Sequence, residues 1–360
     1  MNNEKINCFS LFTVIVSLSL APFYGIFSSY MINKNGTSSF ISMLIGFIFS
    51  IIISKIILSF FNINSNLSYT KKIKKTYKKV SKGISIISIT SSLLCYMLLT
   101  YRLTSFLSNE YLINTPKSLI LLLILIYTIY NSNKGTETIF RVSTITFYIS
   151  IIIFLFDFFS LIFKIDTSNY LPISIDIKSI LISSIIFSFY FTIPLIHINI
   201  INKNQIVDNY NLNKYYYYGI TLSFIIIFLS VLTTIGISGI NINNLFDYPI
   251  YTTLKRIRLF SFLDSLENIS ILLWIVFIIN SSSIMLSFIT KTFNETFNIN
   301  NKKRVIIYII TFLISFIIPN LIFENNYNES YDYIWFPFII LLVQLLIEII
   351  SIIKTKLTNH

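Results

Sequence analysis

The sequence predicts an all-α membrane protein with about ten transmembrane helices, and three observations support that fold class. The 360-residue chain is 54% hydrophobic and only 12% charged, whereas soluble proteins carry about 25% charged residues. Its mean hydropathy is +0.75. Long apolar segments separated by polar breaks follow one another along the whole chain. Such segments must be helical, because an unpaired backbone group in lipid costs several kcal/mol.

The predicted spans have about the 20-residue length that crosses a bilayer. They lie at 8–31, 39–61, 84–107, 118–131, 142–163, 179–200, 215–238, 266–290, 305–323 and 334–353. The fourth is short, so it either extends through Asn131 or tilts differently. The first carries a cleavage-like Ser19-Leu20-Ala21, but it continues to Met31, which favours a membrane helix over a signal peptide.

The net charge of +12 is explained mainly by membrane orientation. With ten spans and a cytoplasmic N-terminus, the inside segments hold 18 Lys and Arg and the outside segments hold 7. This bias obeys the positive-inside rule. The sequence therefore predicts that both termini are cytoplasmic and that the charge does not serve a nucleic-acid partner.

The densest basic run is Lys71–Lys82, with seven lysines. It has two interpretations, a site for anionic lipid or an acidic partner, and an orientation determinant in a solvated cytoplasmic loop. The general effect of loop lysines on topology favours the second.

Proline and glycine are so scarce that their positions in the spans are informative. Pro22 and Gly25 interrupt the first span, and Pro194 interrupts the sixth. Proline removes a backbone hydrogen bond and clashes with the preceding turn, so each helix should kink or unwind there. Breaks five spans apart fit a five-plus-five inverted repeat, in which broken helices bind the substrate. Two ordinary proline kinks explain the spacing equally well.

If the breaks form a site, ligand binding depends on exposed backbone groups and apolar walls. The candidate ligand-binding residues are Ser17, Ala21, Pro22 and Gly25 in the first span and Phe191, Thr192 and Pro194 in the sixth.

Ionisable residues inside spans are costly in hydrocarbon and indicate coupling or an ion path. Asp157, Glu267 and Glu348 are the candidates for this role. Arg102 is equally well explained as a residue that snorkels to the interface.

The sequence gives little support for a catalytic site or a metal site. The chain has two histidines, His197 and His360, and no Walker A, GxGxxG or GxSxG motif. The two cysteines, Cys8 and Cys95, lie at or inside apolar stretches. We expect neither an enzyme nor a metal or other cofactor, and His197 should pack or hydrogen-bond near the cytoplasmic end of span six.

Three stretches of the sequence resemble the endospore germination permease family, the membrane B subunits of nutrient germinant receptors. They are LPISIDIKSILISSIIFSFYFTIP, Gly135–Arg141 and, most specifically, YPIYTTLKRIRLFSFLDSLENISILLWIVFIIN at 248–280. The family motif in the last stretch matches Tyr248-Pro249, Lys255-Arg256, Phe262-Leu263, Glu267 and Trp274. The chain departs from the family at Thr192-Ile193, at Leu266 and in the first outer turn, Asn33–Gly36.

The resemblance implies one membrane domain over 1–360 with the amino acid–polyamine–organocation fold, in which one repeat covers about 8–163 and the other about 179–353. It implies location in the spore inner membrane, within the lipid bilayer, and assembly with an A subunit and a C-subunit lipoprotein. It further implies that a small germinant, often an amino acid, is sensed and that ion release follows. An ion-coupled secondary amino-acid transporter is the alternative function, and a scaffold without ligand binding is a third.

Overall fold

The computed structural model describes residues 4–23, 27–173, 175–257, 267–299, 304–323 and 335–358. The described part is helical apart from turns, loops and one isolated bridge between Ile6 and Ile206. Its α-helices are α1 (Cys8–Pro22), α2 (Ser28–Asn35), α3 (Ser39–Asn62), α4 (Tyr69–Tyr77), α5 (Ser81–Glu110), α6 (Lys117–Asn133), α7 (Thr136–Ile162), α8 (Ile177–Thr192), α9 (Leu212–Asn243), α10 (Pro249–Leu254), α11 (Glu267–Phe297), α12 (Arg304–Phe323) and α13 (Trp335–Thr358).

Within the described residues, every predicted span coincides with helix. The first corresponds to α1 and α2, and the others correspond in order to α3, α5, α6, α7, α8, α9, α11, α12 and α13. Within the described residues, seven helical stretches are long and apolar enough to cross a membrane, and α1 and α6 are shorter apolar helices. The fourth span does extend through Asn131, to Asn133. The all-α membrane fold class is confirmed.

Helix α1 forms the centre of the bundle. All but one of its residues are buried, and it contacts α7, α8, α9 and α11. A helix that is apolar all round is expected either in a core or in lipid, and the chain uses both solutions. Exposed large aliphatic and aromatic side chains are frequent on α3, α7 and α12 at the periphery.

The predicted break in the sixth span is confirmed. Helix α8 ends at Thr192, and the chain continues as a 3-10 helix over Ile193–Ile200 with Pro194 at its beginning. Proline cannot donate the hydrogen bond that would continue the α-helix, so the tighter winding starts here. In the first span, α1 ends at Pro22 and α2 begins at Ser28, and Gly25 lies outside the described residues.

The basic run is not simply a solvated loop. It forms α4 and a short 3-10 turn, Lys78–Val80. Lys72 is buried, and its Nζ donates to the Phe61 carbonyl at 2.7 Å and to the Phe60 carbonyl at 3.4 Å, at the end of α3. The loop interpretation is wrong for Lys72, because helical periodicity points this side chain at the carbonyl end of α3, where a cation is favoured. The other lysines of the run are exposed: Lys71, Lys74, Lys75, Lys78, Lys79 and Lys82.

Candidate functional site

A large cavity lies beside α1, between α5, α7, α9, α10 and α11. It offers the centre of a water molecule a volume of about 90 Å³ and is partly open to solvent. Helix α1 contributes Val16 and Leu20, one turn apart and therefore on one face. Eight of the remaining lining residues are aromatic: Phe106, Phe147, Phe154, Phe158, Tyr248, Tyr251, Trp274 and Phe277.

Asp157 is the one carboxylate among the described residues that line the cavity, and these include no lysine, arginine or histidine. It lies near the end of α7 and is 8% exposed. Its Oδ1 accepts a hydrogen bond from Ser270 Oγ of α11 at 2.8 Å, which ties the two helices together across the wall. A carboxylate in such apolar surroundings exerts a strong electrostatic field, because little water screens it.

Trp274 joins the cavity to the first span. Its Nε1–H donates to the carbonyl of Ala21 at 3.4 Å, and its ring meets Phe106 edge-on with centroids 4.6 Å apart. Phe106 in turn contacts Tyr248 at 4.9 Å and Tyr251 at 5.5 Å, both edge-on. Residues of α5, α11 and the α10 segment therefore form a cluster of edge-on rings in the cavity wall.

None of the described candidate ligand-binding residues lines this cavity. Ser17, Ala21, Pro22, Phe191, Thr192 and Pro194 are all buried. The cavity follows the Val16 and Leu20 face of α1, and Ser17 and Ala21 are each one residue further round the helix. Ala21 reaches the wall through its carbonyl, whereas the hydroxyl of Ser17 is buried with no hydrogen-bond partner among the described residues.

The sixth-span candidates are engaged in packing. Phe191 stacks on Phe187 with centroids 5.4 Å apart, and Thr192 Oγ1 donates to the Ser188 carbonyl at 2.6 Å. Aromatic pairs join the first and sixth spans where they approach each other: Phe23 with Phe187 at 5.9 Å and Phe27 with Tyr190 at 5.1 Å. The structure thus brings the two spans together through rings rather than through an open site.

The coupling candidates are in separate places. Asp157 lines the cavity, whereas Glu348 is fully buried in α13 and does not line it. Glu267 is the first residue of α11, and its side chain lies outside the described residues.

Glu348 belongs to a cluster of buried polar residues, each at most 3% exposed. The other members are Lys72, Ser92, His197, Asn199 and Gln344. Asn199 Nδ2 donates to Glu348 Oε1 at 3.3 Å, while Oε2 has no hydrogen-bond partner among the described residues. Lys72 is close enough to act on Glu348 electrostatically. The cluster connects α4, α5, the 3-10 helix and α13.

The hydrogen bonds around His197 run in one direction. The Pro194 carbonyl, 2.9 Å from Nδ1, can only accept, so Nδ1 carries the proton. The other nitrogen, Nε2, then accepts from Ser92 Oγ at 3.0 Å, and Ser92 Oγ accepts from Gln344 Nε2 at 3.2 Å. The expected packing of His197 near the end of span six is confirmed.

Sequence reasoning missed several of these residues. Ser270 had no signal of its own, since serines are common throughout the spans. Trp274 was singled out only as part of the 248–280 block, and Gln344 was recognisable as a polar residue within the apolar tenth span. Among the described residues no group of three or more metal-ligating side chains occurs.

The comparisons with known proteins agree with this fold. Residues 5–325 match the family described as spore germination protein. Among solved structures, a crystal structure of MhsT in complex with L-phenylalanine is similar with a TM-score of 0.58 and 16% sequence identity, covering 96% of this chain and 87% of that chain. No curated protein sequence matches the chain. The structural likeness shows the inverted-repeat transporter fold, and the family and fold are those of permeases rather than enzymes.

Proposed function

Since the chain belongs to the spore germination protein family, we propose that it is the membrane subunit of a nutrient germinant receptor. It binds a small germinant, such as an amino acid, and triggers germination with ion release. The observation that supports this most is the cavity beside α1, which is lined mainly by apolar and aromatic side chains and holds a single described carboxylate. That a structurally similar protein was crystallised with L-phenylalanine supports an amino-acid-like ligand.

In this proposal the germinant lies against α1, next to Leu20 and the Ala21–Trp274 contact. Ser17, Pro22 and Gly25, with Phe191, Thr192 and Pro194, form the adjoining part of the site. Ligand binding then acts on the aromatic contacts that join the first and sixth spans, Phe23 with Phe187 and Phe27 with Tyr190. Asp157, Glu267 and Glu348 serve coupling or an ion path.

The proposed partners are a receptor A subunit and a C-subunit lipoprotein in the spore inner membrane, with both termini of this chain cytoplasmic. The 18-to-7 distribution of basic residues supports this orientation. The exposed lysines around α4 lie on the same side as the N-terminus in this arrangement.

The test is genetic. Spores that lack this chain should lose the response to one nutrient germinant while still germinating with a non-nutrient trigger. Spores with Trp274→Ala, which removes the ring beside Ala21, should need a higher germinant concentration. A normal nutrient response in the deletion strain contradicts the receptor role.

The alternative is an ion-coupled secondary amino-acid transporter, which the similarity to the MhsT structure favours. Purified chain in proteoliposomes decides between the two. Accumulation of an amino acid driven by a proton or sodium gradient supports the transporter, whereas binding without accumulation supports the receptor subunit.

A further inference from the structure

We propose that Asp157 binds the positively charged nitrogen of the ligand, so that the cavity selects molecules that carry a protonated amine on an apolar body. This names the ligand class of the proposed germinant site and rests on that proposed function only for its physiological meaning. The cavity, the carboxylate and the surrounding rings are properties of this chain alone.

The first argument is the unmatched charge of the site. Asp157 has one hydrogen-bond partner among the described residues, Ser270, although a carboxylate has room for about four. A buried carboxylate needs a cation or several donors to offset its lost hydration. Its side chain faces the cavity, so a bound cation has direct access to it.

The second argument is that the described side chains around the cavity do not supply the cation. The basic residues that follow α10 in the sequence are Lys255, Arg256 and Arg258, of which Arg258 lies outside the described residues. Lys255 and Arg256 do not line the cavity and are engaged with other groups, and Lys255 Nζ lies 4.0 Å from the centroid of the Tyr251 ring. Lys255 Nζ donates to Glu110 Oε2 at 3.2 Å, and the Arg256 guanidinium donates to the Ile237 carbonyl at 3.0 Å. Lys164 Nζ, beyond the end of α7, donates to the Arg256 carbonyl at 2.5 Å. The positive partner of Asp157 is therefore assigned to the ligand.

The third argument is the chemistry of the walls. Aromatic rings line the space around Asp157, among them Phe154, Phe158 and Trp274. Ring faces attract cations and their edges and planes pack apolar groups. Described hydroxyls, including Ser150, Thr233 and Thr253, also line the cavity but carry no charge. An anionic ligand would meet the Asp157 carboxylate, and none of the described residues that line the cavity carries a positive charge to offset the repulsion.

The protein carries its own reporter for this site. It has two tryptophans, Trp274 in the cavity wall and Trp335 at the start of α13. In full-length purified Trp335→Phe protein, tryptophan fluorescence comes from Trp274 alone. The probes are three molecules of similar size: 2-phenylethylamine, the neutral 2-phenylethanol and the anionic phenylacetate.

We expect the amine to give a saturable change in Trp274 fluorescence, with the alcohol at least tenfold weaker and phenylacetate weaker still. Asp157→Asn should weaken amine binding about tenfold or more, as expected for loss of a charged hydrogen-bond partner. The matched control is Asp166→Asn, which removes an exposed carboxylate from the loop just after α7 and should change binding less than about twofold.

The ratio of amine to alcohol affinity remains informative if Asp157→Asn is partly unfolded. Partial unfolding lowers the apparent affinity for both probes by the same factor, so the ratio does not change for that reason. That ratio should fall towards one in Asp157→Asn and stay high in Asp166→Asn. The proposal is overturned if no saturable change occurs with the amine, if the ratio is unchanged in Asp157→Asn, or if phenylacetate binds as tightly as the amine. These outcomes leave the germination phenotype of the deletion strain untouched, so the proposed function stands or falls separately.

Discussion

The cavity at Asp157 and the buried polar cluster at Glu348 both place a carboxylate inside an apolar helical bundle, yet their surroundings differ. Asp157 has one described hydroxyl partner and faces a cavity that is lined partly by aromatic rings. Glu348 is packed against Asn199 within electrostatic range of Lys72 and lines no described cavity. The same chemical group is therefore available to a ligand in one place and is enclosed by the protein's own polar groups in the other. Free volume, rather than charge, distinguishes a binding site from a structural network.

The strongest test of this comparison is to remove the enclosed cation. Lys72→Met should lower the free energy of unfolding by about 3 kcal/mol, because the carbonyls of Phe60 and Phe61 lose their donor and Glu348 loses its opposing charge. Denaturant titration in detergent measures it. Lys74→Met, an exposed neighbour on the same helix, should stay within about 0.5 kcal/mol. Equal effects of the two substitutions contradict the assignment of Lys72 to the cluster.

A second test replaces one serine by leucine in each of the two regions. Ser92→Leu should destabilise the protein by about 2 kcal/mol or more, because it overfills a packed site and removes the partner of His197 Nε2 and Gln344 Nε2. Ser150 lines the cavity, so the leucine side chain of Ser150→Leu projects into open space. The Ser150 hydroxyl that is lost donates, among the described residues, to the Thr146 carbonyl of its own helix. The unfolding free energy of Ser150→Leu protein should change by less than about 1 kcal/mol.

For the same Ser150→Leu protein, binding rather than stability should respond. The added side chain occupies ligand space, so 2-phenylethylamine should bind at least about tenfold more weakly, a loss of about 1.4 kcal/mol. Trp274 fluorescence in the Trp335→Phe background measures it, with Ser92→Leu protein at matched folded fraction as the comparison. Strong binding to Ser150→Leu together with a large loss of stability would reverse the roles of the two regions.

The smallest expected effect on stability comes from the hydrogen bond between Trp274 of α11 and Ala21 of α1. Trp274→Phe keeps an aromatic ring against Phe106 but removes the donor to the Ala21 carbonyl. At 3.4 Å this hydrogen bond is long, so the expected loss is about 0.5–1 kcal/mol of unfolding free energy. Trp274→Ala, which also removes the ring, should cost about 3 kcal/mol. If Phe and Ala cost the same, the indole nitrogen and not the ring is the important part.

The sequence predicts the helices of this fold well and the location of the cavity poorly, for one physical reason. Spans of this hydropathy must be helical, and Pro194 must interrupt its helix, whatever surrounds them. Which face of α1 meets open space is a different question, because a helix that is apolar all round has no periodicity to reveal it. The candidates Ser17 and Ala21 thus lie beside the cavity face formed by Val16 and Leu20. Asp157 was identifiable because its cost in lipid is independent of its neighbours.

Lys72 illustrates the opposite limit. It is one of seven lysines in a short run, and composition gives it the same expected environment as the others. Lys72 differs from the six that remain exposed because α4 packs against α5, α11 and α13 and the Lys72 Nζ reaches the carbonyls at the end of α3. His197, by contrast, was expected to pack or hydrogen-bond, because a histidine within an apolar span needs partners.

The one-way hydrogen bonds from Gln344 through Ser92 and His197 to the Pro194 carbonyl have a mechanical consequence. The sharp change of winding after Thr192 is anchored to a residue in the last helix, far away along the chain. If the sixth span were to straighten or shift past Pro194, the proton on Nδ1 of the fully buried His197 would lose its acceptor, a penalty of about 1–3 kcal/mol. The hydrogen bonds thus couple α13 to the sixth span: if one moves, either the other moves with it or a buried donor loses its acceptor.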